Sequence, residues 1–518
     1  MQTVWLLIVS SIALYVIRLY TEFRRNVKTI GDFPGYRTLL AGPPARGLLA
    51  TFLPQILGIS QGRMNLWRSK HKDFEYFGSH IYSSVNIWPK STCQFRVADP
   101  SAIKEITSSR TRFPKPVEAY QVLKFFGDNI VVAEGDEWKK HRKVANPENN
   151  RMVWEETVKI VNDMFQNAWR EQEEVVVDHC VDVTLTVALL VIGTAGFGRN
   201  ISWESDLQIP PGHQMSFKEA LNVVSVGMFS KAILPRWAMR LTHRLRTINL
   251  AFSELQLYMQ TMIDERKNAE KKVERYDLFS SLLDASEEES DGLAKLSDSE
   301  LRGNIFIFML AGHETTAHTL CFCFALLALY QEEQEILLQH INSVLPGGRT
   351  PTYEDMGALT YSMAVFYETL RLFPPVNGIP KRCEEDATLV TTTTAGEKLV
   401  VAIPKGSAIS LHIPGLHYNP RYWKDPHEFK PKRFLEDYNR DAFLPFSGGA
   451  RSCIGRRFFE TEGIAILTSI VQKYKIEVKE EPQFANETFD ERRARLLDCK
   501  IGVTLTPIRV PLVFKRRA

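Results

Sequence analysis

Residues 446–455 read Phe-Ser-Gly-Gly-Ala-Arg-Ser-Cys-Ile-Gly and carry more information than any other segment of the chain. Their two adjacent glycines allow the backbone to adopt a positive φ and to approach another group closely. The residues after Gly455 predict a helix over 456–473, so Cys453 stands just before a helix amino terminus. The unpaired N–H groups and the dipole at that end favour the thiolate form of a cysteine.

A single cysteine in such a loop has two interpretations. One is a buried structural thiol, because cysteine is among the most buried residue types. The other is a metal ligand. A lone thiolate with no neighbouring His or Cys does not suit a tetrahedral zinc site, but it suits haem iron as an axial ligand. The residues elsewhere in the chain favour the second interpretation for Cys453.

Composition limits the class of protein. The chain has 518 residues, of which 44% are hydrophobic and 24% charged, and this excludes a wholly disordered, collagen-like or coiled-coil protein. Lys and Arg outnumber Asp and Glu by 64 to 61, a net charge too balanced to suggest a nucleic-acid-binding protein, so no nucleic-acid partner is expected. The seven cysteines include no Cys-x-x-Cys pair, which argues against a secreted disulfide framework and favours a reducing compartment.

An apolar segment at the amino terminus predicts one transmembrane helix over residues 1–20. The apolar run Val4–Tyr20 would span roughly 25 Å as a helix. A cleaved signal peptide is the alternative, but it requires a positive charge before the run, and Met1-Gln2-Thr3 provides none. Because the positive charges follow the run, the rest of the chain is expected in the cytosol. Residues 21–54, which are basic and rich in Pro and Gly, are predicted to form a stiff hinge, and residues 55–518 to form one domain.

Helical periodicity dominates residues 150–375. The predicted helices there are Val153–Gln172, Ile248–Lys271, Ser297–Glu335 and Met356–Arg371. Short β-rich segments are fewer and comprise Thr388–Thr394, Lys398–Ile403 and Ile501–Leu505. This pattern predicts a mainly α fold with small peripheral β-sheets, and it disfavours a doubly wound nucleotide-binding fold.

The long helix predicted from residue 297 has an unusual middle. Ser297 and Glu300 form a capping-box pattern at its start, and residues 305–310 are apolar on every face, which predicts burial on all sides. Residues 311–316 then read Ala-Gly-His-Glu-Thr-Thr, although a carboxylate and two hydroxyls are costly to bury. One interpretation is a kinked packing helix whose threonines bond back to i−4 carbonyls. The favoured interpretation is a functional site at a helix defect.

Together these features resemble the cytochrome P-450 family, in its membrane-anchored eukaryotic form. The first segment matches the family signature Phe-x-x-Gly-x-Arg-x-Cys-x-Gly at every fixed position, namely Phe446, Gly449, Arg451, Cys453 and Gly455. Other family motifs occur in the family's order: Trp138-x-x-x-Arg142, Ala311–Thr316, Glu368-x-x-Arg371 and a Pro-x-Arg-Phe element at 431–434. The resemblance covers residues 30–515 and implies the helical family fold. The anchor and hinge are similar to those of the endoplasmic-reticulum branch, which implies a single-pass protein of that membrane with a cytosolic catalytic domain.

The resemblance implies haem b (iron protoporphyrin IX) as the cofactor, with Cys453 as the iron ligand. It implies that Thr315 hydrogen-bonds dioxygen and its protonating water, and that Glu314 relays protons from bulk water. The haem-binding set that it implies is Cys453, Trp138, Arg142, Arg451, Phe446, Gly449 and Gly455. A buried ion-pair triad with a structural role is implied for Glu368, Arg371 and Arg433.

The resemblance also indicates what the protein acts on and with. The candidate pocket residues are apolar and comprise Phe125, Phe126, Phe306, Phe308 and Leu310. A lipophilic small molecule is therefore expected as the substrate. The alternative for each of these residues is simple core packing. The motif at residues 311–319 resembles that of fungal family members that act in secondary metabolism. This resemblance suggests a terpenoid or other secondary metabolite as the substrate. NADPH-cytochrome P-450 reductase is expected as the electron donor. The reductase is predicted to dock on a cationic group that comprises Lys139, Lys140, Lys143, Arg456 and Arg457. The alternative is that these residues form a solvated face without a partner.

Three functions remain open from the sequence. The favoured one is an NADPH-dependent haem-thiolate monooxygenase that inserts one oxygen atom into an unactivated C–H or C=C bond. The alternatives are a haem-thiolate isomerase or dehydratase that acts on peroxides without external electrons, and a non-enzymatic haem sensor or carrier. The intact pair Glu314-Thr315 favours the monooxygenase, because the isomerase relatives usually lack this pair and a sensor needs no proton relay.

Overall fold

The computed structural model describes residues 1–41, 53–62, 64–145, 149–198, 203, 209–268, 277–287 and 295–517. Part of the predicted hinge, residues 42–52, and the last residues of the predicted helix Ile248–Lys271 lie outside this set. The chain divides into two compact units. The first unit comprises Met1–Ala119, Val376–Glu428 and Tyr438–Cys453. The second unit comprises Tyr120–Pro375, Phe429–Asp437 and Ile454–Ala518. The prediction of one domain over 55–518 stays a prediction.

The first unit is built on a mixed β-sheet. Its strands lie in the spatial order Gly35–Leu40, Ile81–Trp88, Cys93–Val97, Ala408–His412 and Gly378–Arg382. The first pair and the third pair are parallel, and the second and fourth pairs are antiparallel. A separate antiparallel hairpin pairs Ala387–Thr392 with Lys398–Ile403. The helices of this unit are Gln2–Thr29, Asn65–Ser69, Lys72–Tyr76, Pro100–Ser108 and Ile413–His417.

The second unit is mainly helical. Its α-helices are Gly135–Val144, Asn150–Asp163, Cys180–Val191, Phe217–Ile233, His243–Lys267, Leu278–Glu287, Asp298–Leu329, Gln331–Val344, Thr360–Leu372, Arg456–Lys473 and Phe489–Leu496. Two small antiparallel sheets accompany them, one formed by Cys499–Ile501 and Leu505–Pro507 and one by Glu174–Val177, Leu512–Arg516 and Tyr474–Val478. The predicted fold class, mainly α with small sheets, is confirmed.

Helix Asp298–Leu329, called the central helix below, is the longest of the second unit. Ser297 and Glu300 form the predicted capping box, in which the Ser297 hydroxyl accepts the N–H of Glu300 and the Glu300 carboxylate accepts the N–H of Ser297. Residues 305–310 are buried apart from the half-buried Phe308, as the all-round apolar pattern predicts. The helix is continuous through 311–316, so the predicted defect is not a break in the helix.

Several predicted boundaries differ from the structure. The helix predicted over Ser297–Glu335 ends at Leu329, and a separate helix follows at Gln331–Val344. The single strand predicted over Ile501–Leu505 is wrong, because Ile501 ends one short strand, Leu505 begins the next, and residues 502–504 form the turn between them. In this turn the N–H of Gly502 donates to Thr504 O at 2.9 Å. Helix Arg456–Lys473 and strand Lys398–Ile403 have the predicted bounds.

The amino-terminal helix, Gln2–Thr29, is long and apolar enough to cross a membrane, and no other helix in the described residues is. Leu19 is its one buried residue. The helix extends beyond the predicted end at residue 20, into the predicted hinge. An Arg18–Glu22 ion pair of 3.1 Å, four residues apart on one face, supports this extension.

Candidate active site

The loop that carries Cys453 closes on itself within the first unit. The N–H of Cys453 donates to Phe446 O at 2.9 Å, and Ser447 takes a φ of 60°, which is rare for a residue with a side chain. Gly449 has a φ of +66°, and a Cβ there would lie 2.2 Å from Thr107 O. Only glycine fits at this point. The close approach expected from the paired glycines is therefore an approach to the end of helix Pro100–Ser108.

Cys453 differs from the other cysteines in its exposure. Its side chain is exposed, whereas Cys93 is half-buried and the rest are buried: Cys180, Cys321, Cys323, Cys383 and Cys499. Arg451, two residues earlier, is half-buried. Helix Arg456–Lys473 begins three residues after the cysteine, with Gly455 at its N-cap. An accessible thiol at a rigid loop just before a helix amino terminus can act as a thiolate ligand.

Trp138 and Arg142 lie on helix Gly135–Val144 of the second unit, called the Trp138 helix below. They are four residues apart and therefore share a face of the helix. Trp138 is buried, whereas Arg142 is half-buried. A guanidinium on this face can form charge-assisted pairs with a carboxylate or a propionate.

Glu314 lies in the middle of the central helix and is buried. Its Oε1 accepts a hydrogen bond from the Ser225 hydroxyl of helix Phe217–Ile233, while its Oε2 has no partner among the described residues. Burial raises the pKa of Glu314 to about 6, and the Ser225 bond opposes that shift. A carboxyl group with this pKa can both take up and release a proton near neutral pH.

The threonines beside Glu314 bond back along the helix. Thr315 Oγ1 donates to Ala311 O at 2.8 Å, and Thr316 Oγ1 lies 3.0 Å from Gly312 O. This geometry agrees with the packing-helix interpretation of these two residues. Thr315 is half-buried, however, and its hydroxyl oxygen can still accept a hydrogen bond.

Gly312 has a packing role in the same segment. A Cβ at this position would lie 3.1 Å from the Ile192 side chain, in the π-helical turn Ile192–Gly196. The glycine lets two helices approach closely, which offsets its low helix propensity.

A buried carboxyl group that sequence reasoning missed lies next to these threonines. Glu462, on helix Arg456–Lys473, is fully buried, and its Oε2 lies 3.1 Å from Thr316 Oγ1. Burial raises the pKa of Glu462 well above its ordinary value. A charged residue type within an apolar helical run is the sequence feature that could have revealed it.

The predicted ion-pair triad is present in the second unit. The Glu368 carboxylate accepts Arg371 Nε at 2.7 Å and Nη2 at 2.8 Å, and it also accepts Arg433 Nε at 3.1 Å. The N–H of Lys430 donates to the same carboxylate at 3.0 Å. Glu368 and Arg371 are both fully buried. The pairing is bidentate, and it binds helix Thr360–Leu372 to the segment 430–433.

Three of the aromatic residues predicted for the pocket, Phe125, Phe126 and Phe306, belong to one cluster. The ring centroids of Phe126 and Phe306 are 4.6 Å apart, and Phe252 stacks on Phe126 at 5.6 Å and meets Phe125 at 5.0 Å. Phe306 is fully buried, as the core-packing alternative predicts, whereas Phe125 is 37% exposed. Phe252 was missed because it lies far from the others in the sequence.

The predicted cationic group is largely paired with acids. Lys139 Nζ lies 2.7 Å from Asp136, and Lys140 Nζ lies 2.5 Å from Glu300 with only 12% of its side chain exposed. Arg456 Nε donates to Glu460 at 2.8 Å, and Arg457 lies 3.7 Å from the same carboxylate. Lys140 therefore serves an internal ion pair and does not belong to an outward-facing stripe.

The candidate site residues are distributed over both units. Phe446, Gly449, Arg451 and Cys453 belong to the first, whereas Trp138, Arg142, Glu314, Thr315 and Gly455 belong to the second. Within the second unit the structure adds Ser225 as the partner of Glu314 and Glu462 as the partner of Thr316. Ser225 has no distinguishing feature in the sequence, because it is an ordinary serine in a helix.

Comparison with known proteins assigns the family. The family model described as cytochrome P-450 matches residues 49–496. The chain is 54% identical over 526 residues to cytochrome P-450 monooxygenase 124 of Postia placenta, and the match covers 100% of both chains. It is 29% identical over 501 residues to cytochrome P-450 monooxygenase ORF6 of Penicillium roqueforti, covering 87% of this chain and 84% of that one. The crystal structure of the cytochrome P-450DA haem domain has the same fold, with a TM-score of 0.73 at 20% identity over 94% of this chain and 99% of that one. The chain belongs to the cytochrome P-450 family, the haem-thiolate monooxygenases whose cofactor is haem b.

Proposed function

We propose that this monooxygenase inserts one oxygen atom from dioxygen into a lipophilic small molecule, with electrons that NADPH supplies through NADPH-cytochrome P-450 reductase. The observation that carries the proposal is the exposed Cys453 thiol in a rigid signature loop. The buried pair Glu314–Ser225, next to Thr315, supports an oxygen-activating enzyme over a haem sensor.

The residues of the loop fit a haem. A soft thiolate donor suits iron, and the strained backbone from Ser447 to Gly449 holds that donor at one place. Cys453 would ligate the iron, and Phe446, Gly449 and Gly455 would shape the loop around it. Arg451 and Arg142 would pair with the propionates as charge-assisted donors, with Trp138 beside them. Bound haem b with a thiolate ligand supplies the activation of dioxygen and the cleavage of its O–O bond.

Two residues of the central helix would then manage protons. Glu314 takes up a proton on Oε2, the oxygen that has no partner among the described residues, while Oε1 stays on Ser225. Thr315 Oγ1 donates to Ala311 O and accepts on its lone pair, so it can hold a water in place. The two side chains thus provide an acid near pH 6 and a fixed hydrogen-bonding group beside it.

The substrate and the cellular location are also proposals. The aromatic cluster of Phe125, Phe126 and Phe252 supports a lipophilic substrate, and we assign it to a terpenoid or other secondary metabolite. Helix Gln2–Thr29 supports a single membrane anchor, and the cationic residues after the apolar run support the endoplasmic-reticulum membrane with a cytosolic catalytic domain.

The reductase is expected to dock on the exposed lysines of the Trp138 helix. Lys139 and Lys143 are exposed and four residues apart, so they share a face of the Trp138 helix. Changing both to Glu should slow reductase-driven turnover and leave peroxide-driven turnover unchanged, because opposite charges steer the encounter. An equal fall in both drive modes would show that these lysines support the fold and not the docking.

The experiment that tests the reaction class is substrate-dependent NADPH consumption by the full-length protein with reductase. The proposal expects NADPH, dioxygen and substrate to be consumed together, with one oxygen atom in the product. An isomerase or dehydratase would convert a peroxide without NADPH, and a haem sensor would convert nothing. Metabolite profiling of a host with and without the protein would identify the substrate class.

A further inference from the structure

Polar side chains, most of them buried, join the Trp138 helix to the first turns of the central helix. Lys140 Nζ lies 2.5 Å from Glu300 Oε1, and Asn304 Nδ2 lies 2.8 Å from His141 Nδ1. His141, Glu300 and Asn304 are all buried. None of these residues takes part in the proposed chemistry. Lys140 and His141 lie on the helix that carries Trp138 and Arg142, whereas Glu300 and Asn304 lie on the central helix.

The backbone is closely packed at the same place. A Cβ at Gly303 would lie 2.2 Å from Asp128 O, and a Cβ at Gly127 would lie 1.9 Å from Ser299 O. Side chains do not approach backbone oxygens so closely, so both positions require glycine. The segment that leads into the Trp138 helix is therefore fixed along the central helix by backbone contact as well as by side chains.

The hydrogen bonds of Asn304 determine the tautomer of His141. Asn304 Oδ1 accepts the N–H of Ile130 at 3.0 Å, and Asn304 Nδ2 donates to Glu300 O at 2.8 Å. These two bonds fix which end of the amide carries the nitrogen. The same Nδ2 also donates to His141 Nδ1, which must therefore lack a proton. In the neutral ring the proton lies on Nε2.

This tautomer excludes a metal site that the side chains would otherwise suggest. Ligand atoms of Glu137, His141 and Glu300 lie within 4.8 Å of one another. A nitrogen that carries a proton does not bind a metal, and turning the ring or the amide would break the bonds of Asn304. Lys140 Nζ, which lies 2.5 Å from Glu300 and 3.3 Å from Glu137, already supplies the positive charge between the two carboxylates.

The surroundings of His141 favour the neutral ring. Burial lowers the pKa of His141, and Lys140 lowers it further, while Glu300, Glu137 and Asp128 act in the opposite direction. The Nε2–H faces Glu300 Oε1 at 3.5 Å and makes no shorter hydrogen bond to a described residue. A second proton, on Nδ1, would put an N–H against the amide N–H of Asn304.

We propose that His141 is a positioning residue for the haem. Its neutral ring accepts a hydrogen bond from Asn304 and thereby holds the Trp138 helix against the central helix. This attachment places Trp138 and Arg142 where they can bind the haem propionates. This inference rests on the proposed function, because it takes Trp138 and Arg142 as haem-binding residues. Protonation of the ring loosens this attachment. The ring takes up a proton more readily when the helix is released, so haem is held less tightly as the pH falls below about 6.5.

The test is the rate at which the full-length haem protein loses haem to an excess of apomyoglobin, at pH about 7.5 and about 5.5, on either side of the ordinary histidine pKa. His141→Gln keeps an acceptor for Asn304 and a donor toward Glu300 but does not titrate. His141→Leu removes both. His243→Gln, at an exposed position of the same unit, is the matched control.

At the higher pH, His141→Gln should lose haem at the wild-type rate, and His141→Leu about tenfold faster, because the buried amide of Asn304 loses a partner. At the lower pH, the wild type and the control should lose haem severalfold faster than at the higher pH, whereas the rate for His141→Gln should stay flat.

The proposal is overturned if His141→Leu matches the wild type, or if His141→Gln follows the wild-type pH dependence. Should His141→Leu fail to fold, the pH profile of His141→Gln alone decides. A wild-type protein that lacks the thiolate spectrum with carbon monoxide would instead refute the haem assignment.

Discussion

Removing the Glu368 carboxylate should destabilise the protein strongly. Glu368 and Arg371 are fully buried, and the carboxylate accepts hydrogen bonds from Arg371 Nε and Nη2, Arg433 Nε and the N–H of Lys430. Glu368→Ala leaves the Arg371 guanidinium buried without its counter-charge. Removing one partner of such a buried ion pair typically lowers the free energy of unfolding by about 3–5 kcal/mol. Because native proteins are stable by only about 5–15 kcal/mol, we expect loss of haem incorporation and not slow turnover.

The assay is chemical unfolding of the purified full-length protein, together with its haem content. Glu155→Ala is the matched control, since its exposed pair with Arg151 is 3.8 Å long and exposed pairs contribute about 0–1 kcal/mol. Glu368→Gln should fall between the two, because its amide oxygen still accepts some of the same bonds. A Glu368→Ala protein that is haem-loaded and within about 1 kcal/mol of the control would refute the argument.

Three further outcomes follow from the site and the anchor. Thr315→Ala should keep haem and substrate binding but divert electrons from NADPH to hydrogen peroxide, lowering product per NADPH by at least about tenfold; unchanged coupling would contradict its role. The fraction of protonated Glu314 falls as the pH rises through about 6, so product per NADPH should fall over that range in the wild type. Glu314→Gln should show a low, flat profile, and a persistent slope would assign the titration to another group. Deleting Met1–Tyr20 should weaken sedimentation with lipid vesicles while keeping the carbon monoxide spectrum, and equal binding would place the attachment elsewhere.

Features that depend on residues close together in the chain could be predicted from the sequence. The capping box of Ser297 and Glu300, the helix Arg456–Lys473 and the pairing of Glu368 with Arg371 each depend on residues within a few positions of one another. The cysteine loop belongs to this class as well. Its glycine requirement was predicted, although its cause, the contact with Thr107 O, was not.

Partners that are distant in the sequence could not be predicted. Ser225 reaches Glu314 from another helix, and Glu462 reaches Thr316 across 146 positions. Lys140 lies in a cationic stretch that suggests an exposed charge, but it pairs with Glu300, and only 12% of its side chain is exposed. In each case the interaction depends on how two helices pack, and periodicity carries no information about which residues then meet.

The identity of the haem ligand is tested most directly by the spectrum of the reduced, full-length protein with carbon monoxide. Ligation of the iron by Cys453 predicts the red-shifted Soret band of a thiolate in the wild type and in Cys383→Ala, which removes a buried cysteine of the same unit. It predicts the loss of that band in both Cys453→Ala and Cys453→His. Survival of the band in either Cys453 variant, with haem still bound, would contradict the assignment of Cys453 as the iron ligand.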